Sequence, residues 1–194
     1  MKNFINAIVK LDNIKQWEER DSVVKESVSQ HSFKSAAIAV YLSRLLCQNA
    51  SIEAHMFFNE CISYALLHDF DEAILGRDLS HVLKYNAYNG EQIRAVMNDF
   101  VDKEIKEKYV PIDDLVHPDN DVKLFCKFID WYCLQIFIER NEAMGCKTFS
   151  YERNYCGKKV CEFINKVRSM LERKFGEDMV KKYNEIIDLW LIDF

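Results

Sequence analysis

An all-α fold is the architecture this sequence predicts, on three observations. Only five Gly and two Pro occur in 194 residues, too little punctuation for a β-sandwich or a Rossmann sheet. Hydrophobic residues make up 49% of the chain and aromatic residues 13%, enough to bury a core without staples. Apolar residues recur at three- and four-residue spacing through most of the chain, as core-facing helices require.

The elements follow in order. A short helix is expected over Asn3 to Leu11, then an irregular charged stretch from Lys15 to Glu26. The next helix is read from Ser29, a favourable N-cap residue, to Gln48, with Phe33, Ala36, Ala37, Val40, Tyr41 and Leu45 as its buried face. Another helix covers Ile52 to His68, and Asp69 to Tyr85 holds a turn and a short helix. Gln92 to Lys108 is charged on one face and reads as a surface helix, after which Pro111 and Pro118 bracket a loop. A long helix over Asp121 to Met144 ends at Gly145, a residue suited to the position after a helix. Helices over Tyr151 to Phe175 and Glu177 to Leu191, parted by Gly176, close the chain. Nothing in the composition marks a linker, so residues 1–194 are expected to form a single domain.

The net charge of −5 argues against a stable nucleic-acid partner, which would call for a basic surplus. Any anion site must be local, built by a metal or a few basic side chains. The seven cysteines contain no C-x-x-C pair. With no apolar signal run at the N-terminus and no apolar stretch of membrane length, they are read as buried free thiols in a reducing cytoplasm.

The residues that carry chemistry are His31, the adjacent pair His68 and Asp69, Glu72 and Asp130. Divalent metals take imidazole and carboxylate ligands from several elements. His31 lies in the first turn of its helix, and His68 and Asp69 at a helix end. Asp130 interrupts an apolar and aromatic run, where a carboxylate is costly unless paired or metal-bound. Glu72 follows Asp69 by three residues and so shares its side of a helix or tight turn. It suits a general acid or base. Simpler readings stand beside these: His31 as a cap or core histidine, and Asp130 as the partner of Lys127 or Lys123. His55, His81 and His117 are read mainly as exposed or structural.

The local sequences resemble those of the HD-domain phosphohydrolases. Val28-Ser29-Gln30-His31-Ser32 is similar to that superfamily's V-[SA]-E-H-S segment, and Leu67-His68-Asp69-Phe70-Asp71-Glu72 to its H-D-x-x-E segment. Gly76-Arg77-Asp78-Leu79-Ser80 looks like the G-D-[IL]-P-[ST] loop, with Lys84-Tyr85 after it, and Lys127 to Asp130 resembles the segment bearing the last metal Asp. The resemblance spans about Trp17 to Gly145 and is strongest to the YfbR-like 5′-deoxynucleotidases.

That resemblance implies an HD-domain helical bundle binding one divalent metal ion (Mn, Co, Mg, Zn, Fe or Ni) through His31, His68, Asp69 and Asp130. It implies Glu72 as the catalytic carboxylate and Asp78 as a loop carboxylate that touches the sugar or orders water. Trp17 matches a family Trp that packs on deoxyribose. Three departures bear on the substrate. Gln16 stands where the family has an Arg that grips phosphate, and an amide cannot replace a guanidinium fork. Arg77 reads as an inserted residue, and the loop lacks its usual Pro. Arg77, Arg20, Lys15 or Lys84 can supply the missing charge. The expected function is hydrolysis of a deoxynucleoside monophosphate in the cytoplasm, by a homodimer with no membrane partner. Two alternatives stay open. One is a dNTP triphosphohydrolase of the small phage kind, similar to the DatZ-like dATP enzymes and acting in a host cytoplasm. The other is a catalytically weak nucleotide-binding protein.

Overall fold

A computed structural model describes residues 1–18, 21–78 and 90–192. The helices are α1 (Lys2–Leu11), α2 (Val28–Leu46), α3 (Ile52–Leu67), α4 (Phe70–Leu75) and α5 (Gly90–Lys108), then α6 (Asp113–Val116), α7 (Asn120–Ala143), α8 (Ser150–Phe175) and α9 (Glu177–Ile192). Among the described residues, the β-structure is an isolated antiparallel bridge between Lys15 and Ser27. The all-α expectation holds.

The main core lies among α2, α3, α7, α8 and α9. Phe57, Phe58, Phe125 and Phe175 meet in edge and stacked contacts at its centre, with ring centroids 5.2–6.3 Å apart. A smaller cluster buries Ala7 and Leu11 of α1 against Val28, Leu67, Phe70 and Ala73. It clamps the start of α2 and the α3–α4 junction together.

Helix α2 differs from its sequence reading in two ways. Its N-cap is Ser27 rather than Ser29: the Ser27 side chain accepts from the Gln30 backbone N–H, and the Gln30 side chain accepts from Ser27 N–H. This reciprocal capping box satisfies two donors that a helix start otherwise leaves open. Ser29 serves it indirectly, with its hydroxyl 2.8 Å from that of Ser27. The buried face is also rotated. Ser32, Ser35, Ala36, Ala39, Leu42, Ser43 and Leu46 face inward, whereas Phe33, Val40 and Tyr41 are exposed. Small residues let α3 and α7 approach α2 closely, and buried Ser35 donates its hydroxyl to Cys133 Sγ at 3.4 Å. On the outside, Tyr41 stacks on Trp190, and Trp190 on Tyr132.

Other boundaries also shift. The expected loop between the prolines contains a 3₁₀ turn at Val110–Ile112 and then α6. Pro111 sits at the start of that turn, where its missing N–H has no cost. Helix α7 begins at Asn120 because Asp119 accepts from the backbone N–H of Asp121 and Val122. Gly145 and Gly176 follow their helices with positive φ values of 89° and 81°, as expected of glycine there. Five cysteines are buried free thiols, but Cys146 is only partly buried and Cys161 is exposed. No described helix is long and apolar enough to cross a membrane.

The cap at Ser27 is open to test. Ser27→Ala should lower stability by about 1 kcal/mol in thermal denaturation of the metal-free protein, and Ser29→Ala by less than half as much. The reverse order would return the cap to Ser29.

Candidate metal centre

Three pieces of local structure bring the candidate ligands together. The capping box starts α2 so that His31 falls in its first turn, with its backbone N–H donating to Ser27 O. Helices α3 and α4 meet without a loop: His68 is the C-cap of one and Asp69 the N-cap of the next. Consecutive side chains at that corner turn toward the same point. Asp130 comes from the middle of α7, which packs against both α2 and α3.

The ligand atoms of His31, His68 and Asp130 all lie within 4.8 Å of one another. His31 Nε2 is 3.3 Å from His68 Nε2 and 3.1 Å from Asp130 Oδ1. Asp69 Oδ2 is 3.2 Å from His68 Nε2 and 3.7 Å from His31 Nε2. The Nδ1 of His68 lies 2.9 Å from Ala65 O. As a donor there, it leaves a lone pair on Nε2. Two imidazole nitrogens and two carboxylates gathered so closely concentrate negative potential, and this donor set fits a divalent transition-metal ion.

Electrostatics agree with that convergence. Burial acts to lower the His31 pKa, but the Asp130 hydrogen bond and the charges of Asp130, Asp69 and Glu26 outweigh it and hold it above the ordinary 6.5. Burial acts to raise the Asp130 pKa, but the charge of Lys127, the His31 hydrogen bond and the charges of both histidines keep it well below the usual carboxylate range. The pairing of Asp130 with Lys127 is real, at 2.5 Å to Oδ2, and it coexists with the histidine contacts of Oδ1. The two readings of Asp130 therefore do not compete.

Around this centre the other expected site residues are distributed unevenly. Glu72 is buried in the first turn of α4. Asp78 Oδ2 accepts from the backbone N–H of Trp17 at 2.9 Å, so it holds the loop that carries Trp17. Trp17 has a positive φ of 54°, a conformation rare for a bulky residue and a mark of a constrained site. Its indole is partly buried and meets Phe149 edge-on. Gln16 Nε2 lies 3.5 Å from Asp69 Oδ2, so the residue in the Arg position sits beside a candidate ligand. Arg77 is exposed. Arg20, Lys84 and His81 lie outside the described residues. His55 and His117 are exposed, with His117 near Asp102 and Asp113.

Sequence reasoning passed over Glu26, which is buried 4.0 Å from His31 Nδ1. It also passed over Tyr64, whose ring meets that of His68 edge-on. Tyr64 lies one helical turn before His68, and that spacing was a usable signal. Glu26 lies in an irregular stretch and offered none.

The model of a family described as 5′-deoxynucleotidase YfbR-like matches residues 3–183. The 4′-phosphooxetanocin A phosphatase of Priestia megaterium is 25% identical over 178 residues, covering 80% of this chain and 87% of that protein. Among solved structures, an HD-domain phosphohydrolase from Listeria innocua is similar with a TM-score of 0.64 at 14% identity, over 100% of this chain and 89% of that one. A Pyrococcus horikoshii OT3 protein gives a TM-score of 0.65 at 17% identity, over 96% of this chain and 95% of that one. A conserved hypothetical protein from Pyrococcus furiosus gives 0.61 at 20% identity, over 84% and 98%. These structural likenesses place the fold among HD domains.

Metal binding should depend on pH with a defined sign. A raised His31 pKa adds stability to the metal-free protein that is fully present below 6.5 and is lost as pH rises through the raised value. A metal needs the neutral imidazole, so Mn²⁺ affinity should climb over that same window. Calorimetric titration in buffers of different ionisation enthalpy should show proton release on the acid side, about one per metal. Affinity independent of pH between about 6 and 8 would remove His31 from the centre.

Proposed function

The chain belongs to the YfbR-like 5′-deoxynucleotidase family, and from that premise we propose that it is a 5′-deoxyribonucleotidase, cleaving a deoxynucleoside monophosphate to deoxynucleoside and phosphate. At the coarser level it is a metal-dependent phosphohydrolase with the HD-domain fold. The observation that carries the proposal is the convergence of His31, His68 and Asp130, with Asp69 Oδ2 3.2 Å from His68 Nε2 and a buried carboxylate, Glu72, three residues from Asp69.

His31, His68, Asp69 and Asp130 would hold the divalent ion. When bound, such an ion supplies Lewis acidity to the phosphoryl oxygens and to water. Glu72 accepts the proton of the attacking water as the bond from phosphorus to the 5′-oxygen breaks, then returns it to the leaving 5′-oxygen. Burial of Glu72 suits a carboxylate that changes protonation state during turnover. Lys127 offsets the charge on Asp130. Asp78 acts through Trp17 by holding its backbone. Trp17, braced on Phe149, packs against the sugar and leaves little room at C2′. A 2′-hydroxyl there would lose water and gain no partner, at a cost of roughly 1–3 kcal/mol. Deoxynucleotides should then be preferred by about one to two decades.

Gln16 and Arg77 keep a dNTP triphosphohydrolase as the second reading. Gln16 brings no charge to the centre, and Arg77 is exposed beside Asp78, where it can reach outer phosphates. Product analysis separates the two, giving orthophosphate from dNMP or triphosphate from dNTP. If Arg77 replaces the missing arginine, Arg77→Ala should raise KM for a monophosphate. If it serves outer phosphates, only dNTP turnover should suffer.

Glu72→Ala should leave Mn²⁺ and nucleotide binding intact and lower kcat by about 10²–10⁴-fold; an unchanged kcat would take Glu72 out of the mechanism. Assayed with dAMP and AMP, the natural protein should favour dAMP, and Trp17→Ala should shrink that preference more than it weakens metal binding. Equal hydrolysis of the two nucleotides by the natural protein would overturn the sugar argument.

A further inference from the structure

The buried carboxylate of Glu26 has no part in the chemistry described above. Its side chain is only 6% exposed, and a charge so placed is costly without partners. Lys34 Nζ satisfies one oxygen, Oε2, at 2.6 Å. Among the described residues no hydrogen bond reaches the other, Oε1. That oxygen lies 4.0 Å from Nδ1 of His31, the ring nitrogen opposite the one that faces His68, Asp69 and Asp130.

The two histidines of the centre thus differ in how their outer nitrogens are held. His68 Nδ1 is fixed by a backbone carbonyl of its own helix. His31, in the first turn of α2, presents its Nδ1 to Glu26. The stretch ahead of α2 provides the acceptor instead. Glu26 O accepts from the Gln16 backbone N–H, and Val28 N–H donates to Ile14 O. These bonds pin residue 26 beside the imidazole.

We propose that Glu26 is the positioning residue of His31. Its Oε1 faces Nδ1–H and so selects the tautomer whose Nε2 lone pair points into the metal centre, while Lys34 holds Oε2 and keeps the carboxylate in place. A metal-ligating histidine normally donates its other N–H to a carboxylate or a carbonyl, and loss of that partner typically lowers metal affinity by about 10–100-fold. At 4.0 Å the pair acts through charge. This inference rests on the metal-centre reading of His31.

Glu26→Gln puts the idea under a specific stress. An amide has one acceptor oxygen for two claimants. If Lys34 takes it, the amide NH₂ faces Nδ1 and favours the wrong tautomer. Removing the lysine frees the oxygen for His31. Calorimetric titration with Mn²⁺ alone, beside thermal denaturation of each metal-free variant, should give a drop in affinity of about 10–100-fold for E26Q at nearly unchanged Tm. The double variant E26Q/K34M should recover most of that loss. Natural affinity in E26Q, or a loss that the double variant does not restore, would overturn the proposal and leave Glu26 a plain anchor for Lys34. Should E26Q fail to fold, Glu26→Asp carries the test: its shorter arm should weaken Mn²⁺ binding by about tenfold, and no change would again overturn the proposal. His68→Ala is the control for the underlying reading. If it binds Mn²⁺ as the natural protein does, the metal centre itself fails; if it loses Mn²⁺ while E26Q does not, only the role of Glu26 fails.

Discussion

The rest of this structure depends on bringing two imidazole nitrogens to 3.3 Å, with carboxylate oxygens close around them. Such an arrangement is self-repelling unless a proton or cation lies within it, so it has to be enforced by what surrounds it. Three helical features enforce it: the capped start of α2, the loopless corner between α3 and α4, and the middle of α7. Each belongs to an element whose position the apolar core sets, so a rigid interior holds the reactive geometry. The small-residue face of α2 belongs to the same requirement, since a bulkier face would keep α3 and α7 too far apart for their side chains to meet those of α2.

The stretch ahead of α2 obeys a different logic. It has little regular structure, and polar bonds from distant elements hold it. Asn141, buried within α7, accepts from Val24 N–H at 2.9 Å while its amide donates to Phe137 O. Thr148 and Cys146 donate to Asp21 O, and Asp78 fixes Trp17. The stretch thus carries Gln16, Trp17 and Glu26 on scaffolding borrowed from Asp78 and from residues 141–148. Gln16, where the family resemblance implies an Arg, belongs to this stretch. In the proposed function the metal ligands rest on helices and the substrate contacts on tethered loops, a division that would let the second diverge while the first stays in place.

Glu26 and Lys127 show how charge is managed around a polar centre in an apolar bundle. Lys127 pairs with the candidate ligand Asp130, and Glu26 pairs with Lys34 while facing the rear of His31. Both pairs reach toward the surface through a lysine that is partly exposed. The burial cost of the inner charges is thereby shared with solvent.

What the sequence determined by itself was local. Scarce Gly and Pro with three-four periodicity specify helices, because those signals act over a few residues. His31, His68, Asp69, Glu72 and Asp130 stood out as candidates because each sits in a short, recognisable segment. The inward face of α2 was not legible: large apolar residues at helical spacing mark a face, but serines and alanines line the one that is buried. Ser27 with Gln30 three residues on is a capping-box pattern that the sequence itself carries, and the reading that starts α2 at Ser29 passes over it. The tertiary structure alone decided that Glu26 lies behind His31, that Asp78 holds Trp17 across 61 positions, and that Lys127 and the histidines share Asp130. Those are matters of distance between segments far apart in the chain or irregular in path. They follow from how the helices pack, and a pattern read along the chain carries no record of that.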